Sequence, residues 1–304
     1  MQKFYSNGKL LLSGEYLILD GATGLALPTS LGQELFVRTH NSEGVLLWES
    51  LDNNGFSWFE ATFSLPDLKL ISFRGDEQVA STLKAILVYA KKLNPEFLQS
   101  TRGIQVSTKL QFSRDWGLGS SSTLISNIAE WSETNPFKLL FQCFGGSGYD
   151  IACAKSDQPI LYELDQGSPK FEVVDFDPVF KDQLYFVHLN KKQLSSESIK
   201  SYQKKKVGKE LIKNISVLSG SLLSATTINE FNELLKEHES ILGSILETKP
   251  VQQSLFPDYT GQIKSLGAWG GDFVLATGDK STQAYFDQKG FHTVIPYTSM
   301  IKQI

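Results

Sequence analysis

The stretch Gly117-Leu118-Gly119-Ser120-Ser121-Ser122 separates a segment of alternating polarity, 104–112, from an apolar-periodic segment that begins at Ser120. Alternation predicts a β-strand and helical periodicity predicts a helix, so the glycines and serines form the turn between them. Glycines let the main chain approach a phosphate closely, and the amide groups at a helix start attract negative charge. The stretch therefore predicts a phosphate-binding turn, although an ordinary glycine turn with serine caps fits these residues equally well.

This turn matches neither of the two commonest nucleotide-binding signatures. The dinucleotide signature GxGxxG needs a third glycine, which the stretch lacks. Near the amino terminus, Gly8-Lys9 is followed by Leu10, where a P-loop has Ser or Thr. A nucleotide site at 117–122 is therefore neither a dinucleotide-binding turn nor a P-loop.

Three other stretches place small residues beside a charged side chain. In the first, 6–16, Lys9 lies just inside a predicted strand and is followed five residues later by a Gly-Glu pair. In the second, 145–152, small residues put Asp150 on a tight turn where a substrate hydroxyl can approach. The third, 267–274, predicts a glycine-rich turn before an apolar strand. Taken singly, the three have simpler interpretations as a solvated edge lysine, a helix N-cap and a hairpin.

Composition and charge restrict the class of protein. The 304 residues are 41% apolar and 20% charged, which is typical of a globular chain and is enough for two domains. A net charge of −4 creates no general field that attracts nucleic acid. The amino-terminal segment mixes charge into its apolar run, which argues against a signal peptide, and no apolar run approaches the roughly 20 residues that cross a bilayer. We therefore expect neither a nucleic-acid nor a membrane partner.

Cysteine and histidine usage favours a reducing compartment. Cys143 and Cys153 lack CxxC spacing and have no other thiols to pair with, so we interpret them as buried structural side chains of a cytoplasmic protein. The four histidines are dispersed without ligand spacing. Neither a zinc site nor a histidine-led catalytic triad is expected.

The pattern of elements predicts an α+β fold. The first half alternates predicted strands with helices, and the second half holds helices with few strands. A polar, Asp-rich stretch at 165–182 is expected to hold the domain boundary, and a loop is predicted near 250–261. The main predicted strands lie at 9–12, 16–19, 32–38, 45–48, 56–63, 104–112, 160–164 and 184–189, and the main predicted helices at 79–93, 120–131, 136–144, 196–223 and 228–245.

The four motifs occur in a fixed order, and together they resemble those of the GHMP kinases. This superfamily includes galactokinase, homoserine kinase, mevalonate kinase and phosphomevalonate kinase. Residues 9–15 (KLLLSGE) resemble its first motif, 117–122 its GLGSS phosphate loop, 147–152 its SGxD motif and 267–273 its carboxyl-terminal glycine motif. The resemblance spans almost the whole chain, and GLGSS is its most specific element.

The resemblance implies a two-domain α+β fold, with a ribosomal protein S5-like α/β domain over 1–175 and a ferredoxin-like α+β domain over 176–304. It implies ATP and Mg²⁺ as cofactors. Ser121 would bind Mg²⁺, and Asp150 would take the substrate hydroxyl proton beside Lys9, all three converging on one triphosphate. The nucleotide-binding residues that the resemblance implies are Gly117, Leu118, Gly119, Ser120, Ser121, Ser122, Gly270 and Gly271.

One family feature is missing. GHMP kinases carry a metal-binding glutamate on the helix before the SGxD turn, but the predicted helix 136–144 contains no carboxylate. Glu130 or Glu133, near the end of the preceding helix, would have to replace it. The alternative to an active kinase is therefore an ATP-binding homologue that acts by binding a metabolite or a partner.

The expected substrate is a small, anionic isoprenoid precursor. The sequence GSGYDIA at 146–152 is more similar to phosphomevalonate kinases than to galactokinases or homoserine kinases. Decarboxylases of the superfamily lack the first motif. A monomer or a homodimer is expected. A basic cluster offers contacts for an anionic substrate, although a solvated helix face is the simpler interpretation. Its members are Lys191, Lys192, Lys200, Lys204, Lys205 and Lys206.

Overall fold

The structure is a computed structural model that describes residues 1–191 and 195–303. The chain forms two compact units, each assembled from several segments. The first unit contains Met1–Gly8, Leu31–Arg114 and Gly119–Lys155, and the second contains Lys9–Ser30, Asp115–Leu118 and the residues from Ser156 onward. The resemblance implies two domains with a boundary between 175 and 176, and that boundary stays a prediction.

Strands and helices are interspersed along the whole chain. The strands are β1 (Gln2–Leu11), β2 (Gly24–His40), β3 (Val45–Leu51), β4 (Ser57–Ser64), β5 (Leu70–Arg74), β6 (Gly103–Leu110), β7 (Ile160–Asp165), β8 (Ser168–Val173), β9 (Leu184–His188), β10 (Ile263–Ser265), β11 (Phe273–Thr277) and β12 (Val294–Pro296). The helices are α1 (Glu77–Leu93), α2 (Ser120–Trp131), α3 (Pro136–Cys143), α4 (Tyr149–Lys155), α5 (Ser195–Tyr202), α6 (Lys209–Ser224), α7 (Ile228–Leu246), α8 (Val251–Leu255), α9 (Ser281–Gln288) and α10 (Tyr297–Met300).

The first unit is built on a mixed sheet. Its strand order is β5-β4-β3-β6-β2, in which β3 and β6 run parallel and the other neighbours run antiparallel. Alternate residues of β4, namely Phe59, Ala61 and Phe63, are buried and join a core to which α1, α2 and α3 contribute their apolar faces. Burying each large apolar side chain stabilises the fold by about 1.5–3 kcal/mol, so this shared core fixes the helices on the sheet.

Local signals set the starts of the helices in the first unit. Asp76 Oδ1 accepts a hydrogen bond from the Gln78 N–H at 2.7 Å and begins α1. Asn135 Oδ1 accepts one from the Lys138 N–H at 3.0 Å and begins α3. Helix α2 begins directly after Gly119, whose φ is 88°. These starts agree with the sequence signals, and the predicted helices there are confirmed.

The second unit contains an antiparallel sheet of order β10-β11-β9-β12. Residues 24–26 of β2 pair with β7, and β7 pairs with β8, also in the second unit. One apolar cluster includes Phe256 and Phe286, and another includes Leu17, Leu242 and Trp269. Within the part of the chain that the structure describes, no helix has both the length and the apolarity to span a membrane.

Two predicted segments are wrong, and one strand is not predicted. The strand predicted at 16–19 is a 3-10 turn, Leu17–Asp20, flanked by Tyr16 and Gly21 with φ of 63° and 89°. The polar stretch 165–182 contains β8, whose mostly exposed side chains give no apolar alternation. The loop predicted near 250–261 contains α8, a short helix that follows Pro250. Backbone conformation and strand pairing, rather than hydrophobic pattern, decide these segments.

Candidate active site

The second half of the glycine-serine turn forms the start of α2. Gly119 is the N-cap residue and has a left-handed φ of 88°, a conformation that glycine adopts without steric cost. Since glycine has no side chain, it cannot cap the first-turn amides as Ser or Asp would. Ser122 donates its hydroxyl to the Gly119 carbonyl at 3.0 Å, and the Ser121 side chain is exposed. The helix start therefore combines uncapped amides with an exposed hydroxyl, which is the chemistry of an anion site.

Buried polar side chains fix the orientation of α2. Thr123 donates its hydroxyl to Gln33 Oε1 at 2.7 Å, and Asn127 donates Nδ2–H to the Gln33 carbonyl at 2.9 Å. Ser6 Oγ donates to Asn127 Oδ1 at 2.8 Å. A buried polar group without a partner is costly, so these bonds tie α2 to one register against β2. Sequence reasoning missed these positioning residues, although Ser and Asn in an otherwise apolar helix face are a recognisable signal.

Lys9 contacts the first half of the turn. Its backbone N–H donates to the Leu118 carbonyl at 3.1 Å, and its Nζ donates to the Gly117 carbonyl at 3.0 Å. Both hydrogen bonds lie within the second unit, to which Asp115–Leu118 belongs. The interpretation of Lys9 as a solvated edge residue is therefore wrong, and the structure places its ammonium group at the glycine turn.

Asp272 packs against Gly117. A Cβ added to Gly117 would lie 2.4 Å from Asp272 Oδ2, and Gly117 itself has a φ of 65°. Asp272 is held by its backbone, since its N–H donates to the Lys191 carbonyl at 2.7 Å and its carbonyl accepts from the Leu189 N–H at 2.8 Å. Glycine at 117 is therefore required for two reasons, the backbone conformation and the close carboxylate.

Two aromatic side chains, those of His188 and Phe273, contact Asp115 and Trp116, which precede the turn. His188 Nε2 lies 3.2 Å from the Asp115 carbonyl oxygen, and the Trp116 ring meets the Phe273 ring edge-on at 5.5 Å. The same Trp116 ring lies 6.4 Å from His188. Neither His188 nor Trp116 can be recognised from the sequence, because their partners are far away along the chain.

Replacing Gly117 with alanine tests the close approach of Asp272. We expect Gly117→Ala to lower the free energy of unfolding by about 1–3 kcal/mol, because the methyl group overlaps the carboxylate and alanine disfavours this φ. Denaturant unfolding measures the change. Adding Asp272→Gly should recover part of the loss by removing the overlap. Equal stability of Gly117→Ala and the unchanged protein would contradict this packing.

Asp150 lies in the first turn of α4, not on the tight turn that the sequence predicts. Gly145, Gly146 and Gly148 have φ of 72°, 93° and 87° and lead the chain into this helix. Asp150 Oδ1 accepts a hydrogen bond from the Ile151 N–H at 3.1 Å, and the side chain is half-buried. A carboxylate in the first turn interacts favourably with the helix dipole. The N-cap interpretation is also wrong, because Asp150 is inside the helix.

The glycine loop 267–271 connects β10 to β11. The flanking strands pair antiparallel, with Ser265 opposite Val274, so the hairpin interpretation of this motif is confirmed. Gly267 and Gly270 have left-handed φ of 62° and 91°. Trp269 donates its backbone N–H to Tyr16 Oη at 3.2 Å, so the first motif directly supports this loop. The proposed nucleotide contacts of Gly270 and Gly271 stay a prediction.

The overall fold has clear counterparts among solved structures. Streptococcus pneumoniae phosphomevalonate kinase, in complex with phosphomevalonate and AMPPNP, aligns with a TM-score of 0.69 and 17% identity, covering 95% of this chain and 96% of its own. Methanococcus jannaschii mevalonate kinase aligns with a TM-score of 0.68, 14% identity and 96% of each chain. Lactococcus lactis galactokinase complexed with galactose aligns with a TM-score of 0.67 and 15% identity, covering 95% of this chain and 88% of its own.

The chain has the fold of the GHMP kinases. The predicted fold class, α+β and GHMP-kinase-like, is therefore confirmed. No protein-family model matches the sequence, and no curated protein matches it. Identities of 14–17% show a shared fold and leave the reaction and the substrate to be argued from residues.

The missing glutamate of the GHMP fold has no substitute on α2. Ser121 and Glu130 stand at opposite ends of this helix, about 14 Å apart along its axis at a rise of about 1.5 Å per residue. Glu130 also forms an ion pair with Lys155. Glu133 follows the helix, with φ of 53°. Neither glutamate can therefore share a metal ion with Ser121. Among the described residues, no group of three or more His, Cys, Asp or Glu side chains could hold a metal.

The donor set nevertheless fits Mg²⁺ carried by a nucleotide. Mg²⁺ keeps several waters and takes phosphate oxygens together with one or two protein ligands. The exposed Ser121 hydroxyl at the start of α2 is an oxygen of the kind that such an ion takes, and its role as a metal ligand stays a prediction. We therefore retain Ser121 as the residue of this chain that would hold the ion, without a dedicated carboxylate.

The remaining predicted features lie outside the motifs. Cys153 is buried, as predicted, whereas Cys143 is half-buried, and burial raises the pKa of its thiol to about 11.

In the basic cluster, Lys205 pairs with Glu247 at 3.1 Å. Lys192 lies outside the described residues. The solvated-face interpretation fits the exposed members, which are Lys191, Lys200, Lys204 and Lys206.

Proposed function

We propose that this protein is an ATP-dependent kinase of the GHMP superfamily, and that its acceptor is a small anionic metabolite, phosphomevalonate or mevalonate. The observation that carries the proposal is the pair of hydrogen bonds from Lys9 to the Gly117 and Leu118 carbonyls. They place a cation on a glycine turn that continues into an uncapped helix start. A cation beside such a turn stabilises the charge of a triphosphate.

The proposed nucleotide site uses the main chain more than side chains. Amides of 117–122 hold the phosphates at the start of α2, and Gly270 and Gly271 contribute from the second glycine loop. Ser121 holds Mg²⁺, which neutralises phosphate charge when bound. Glycines at these positions leave room for the phosphates, because side chains there would occupy the same space.

Asp150 and Lys9 carry the proposed transfer step. The acceptor oxygen, which is the primary hydroxyl of mevalonate or a phosphate oxygen of phosphomevalonate, forms a bond to the γ-phosphorus while the bond from that phosphorus to the β,γ-bridging oxygen breaks, which releases ADP. Asp150 orients the acceptor group and accepts the proton that a hydroxyl acceptor releases. Lys9 offsets the charge on the transferred group. Positioning and charge stabilisation supply most of the catalysis of phosphoryl transfer, so this small set of residues suffices.

The second candidate function is ATP-dependent binding without transfer. The absence of a carboxylate on α3 and the pairing of Glu130 with Lys155 favour it, because both weaken the case for a strong metal site. A cytoplasmic location and a monomeric or homodimeric state belong to both candidates.

The acceptor is tested by measuring ADP release. The protein is incubated with ATP, Mg²⁺ and, in separate reactions, mevalonate, phosphomevalonate, homoserine and galactose. We expect ADP with phosphomevalonate or mevalonate and none above background with homoserine or galactose. ATP binding without ADP from any acceptor would favour the second candidate. Absence of ATP binding would overturn both.

A further inference from the structure

Four ionisable side chains form a buried cluster in the second unit. Glu15, Lys264, His238 and Glu239 are each at most 2% exposed. We call them the Glu15 cluster. Taking charged groups out of water costs several kcal/mol per ion unless they are paired and hydrogen-bonded. Burial of this kind therefore calls for an explanation other than solubility or surface charge.

The cluster joins two motifs that are distant along the chain. Lys264 Nζ lies 2.5 Å from Glu15 Oε1 and also donates to the Ser265 carbonyl at 2.8 Å. Glu15 belongs to the first motif, and Lys264 and Ser265 are the last residues before the loop 266–272. The ion pair therefore ties the turn after β1 to the strand that begins the second glycine loop.

Helix α7 supports both motifs with consecutive residues. His238 Nε2 accepts a hydrogen bond from the Gly14 N–H at 3.1 Å and lies 3.3 Å from Glu15 Oε2. Glu239 Oε1 accepts from the Ser265 N–H at 3.1 Å, and its Oε2 lies 3.2 Å from the Ser265 hydroxyl. His238 thus holds the first motif, and the next residue, Glu239, holds the start of the glycine loop.

The charge states of the cluster are consistent with this geometry. Burial lowers the pKa of His238 well below its ordinary range, so its Nε2 carries the lone pair that accepts from Gly14. Burial raises the pKa of Glu239 to about 8, against the opposing effect of Lys264, so this carboxyl is mostly protonated near neutral pH. Burial raises the pKa of Glu15, and the neighbouring Lys264 ammonium group, 2.5 Å away, opposes that shift.

We propose that the Glu15–Lys264 pair and its two supports on α7 are positioning residues that hold the loop 267–271 in its nucleotide-binding conformation. The hydrogen bond from Trp269 N–H to Tyr16 Oη, 3.2 Å long, completes the connection, because Tyr16 directly follows Glu15. Directional bonds fix the relative orientation of two turns, which apolar contacts alone do less well. The effect on nucleotide rests on the proposed function, whereas the effect on loop order does not.

The test compares three variants of the full chain: Tyr16→Phe, Glu15→Gln and the double variant Glu15→Gln/Lys264→Met. The double variant leaves no unpaired charge in the pair, so it is expected to fold better than Glu15→Gln. Hydrogen–deuterium exchange is measured on peptides that cover 266–272. We expect exchange there to be at least about tenfold faster in the double variant, with unchanged exchange in α2. Tyr16→Phe, which keeps the buried charges, should accelerate the same peptide less.

A kinetic readout separates positioning from general stability. In the double variant we expect the Kd for ATP to rise at least about tenfold, with a larger change in the ATP KM than in kcat. Glu237→Gln, an exposed change on the same helix, is the matched control and should alter neither exchange nor affinity.

Unchanged exchange at 266–272 in both a folded double variant and Tyr16→Phe would overturn the proposal. So would faster exchange spread evenly over the second unit, because that indicates a purely structural role. If the loop exchanges faster while the unsubstituted protein neither binds ATP nor turns it over, the positioning of the loop stands and the kinase proposal fails. The two failures are therefore distinguishable.

Discussion

Asp150→Asn is expected to lower kcat at least about 1,000-fold while the Kd for ATP stays within about twofold. An amide cannot accept a proton from the acceptor group, and general-base catalysis contributes roughly 100- to 10,000-fold. Asparagine keeps the shape of the side chain and can still accept the Ile151 N–H bond that the structure shows at 3.1 Å. ATP affinity should persist, because the nucleotide is proposed to bind through main-chain amides. Steady-state kinetics with the acceptor found by ADP release and direct ATP titration measure the two quantities.

Asp67→Asn is the matched control for this variant. Asp67 is an exposed side chain that pairs with Lys69 at 3.3 Å, and it has no proposed role in the site. A surface pair of this kind contributes little to stability, so kinetics and ATP binding should both stay unchanged. Turnover by Asp150→Asn at the rate of the unsubstituted protein would remove Asp150 from the mechanism. A parallel loss of ATP binding would instead indicate that α4 is misplaced.

The local parts of the site were predictable from sequence. The sequence predicts α2 at 120–131 and the structure has it at Ser120–Trp131, because an apolar stripe and a preceding glycine act within one or two turns of the chain. The turn before it is recognisable for the same reason. Whether Lys9 was a solvated edge residue or a site residue could not be decided from its neighbours. The structure excludes a solvated edge residue through two bonds to residues more than 100 positions away, and the role of Lys9 in the site stays a prediction.

The contacts that orient the motifs could not be predicted. Lys264 and Glu15 are 249 residues apart, and neither has a local signal that marks it as a partner of the other. The packing of Asp272 on Gly117 is likewise a long-range contact. Sequence patterns report burial and local conformation, whereas the pairing of buried charges depends on which turns the fold brings together. The same reason explains the missed strand β8, which is fixed by pairing with β7 rather than by apolar side chains.

Gly119→Val is expected to raise the Kd for ATP at least about 100-fold. Two effects add. The φ of 88° at this position is outside the range that a β-branched residue adopts without strain, which costs about 1–3 kcal/mol. The isopropyl group would also occupy the space that the proposed phosphates need at the start of α2. Titration with ATP and with a non-hydrolysable analogue measures the affinity, and denaturant unfolding measures the strain.

Gly55→Val separates these two effects. Gly55 lies in the connection between β3 and β4 with φ of 86°, and a Cβ added there meets nothing within 4 Å. It therefore carries the same backbone strain without any proposed contact to phosphate. Both variants should lose similar free energy of unfolding, and only Gly119→Val should lose ATP affinity. Equal ATP affinity in the two variants would mean that the nucleotide binds elsewhere, because a phosphate held by the amides of α2 cannot coexist with a valine side chain at its N-cap.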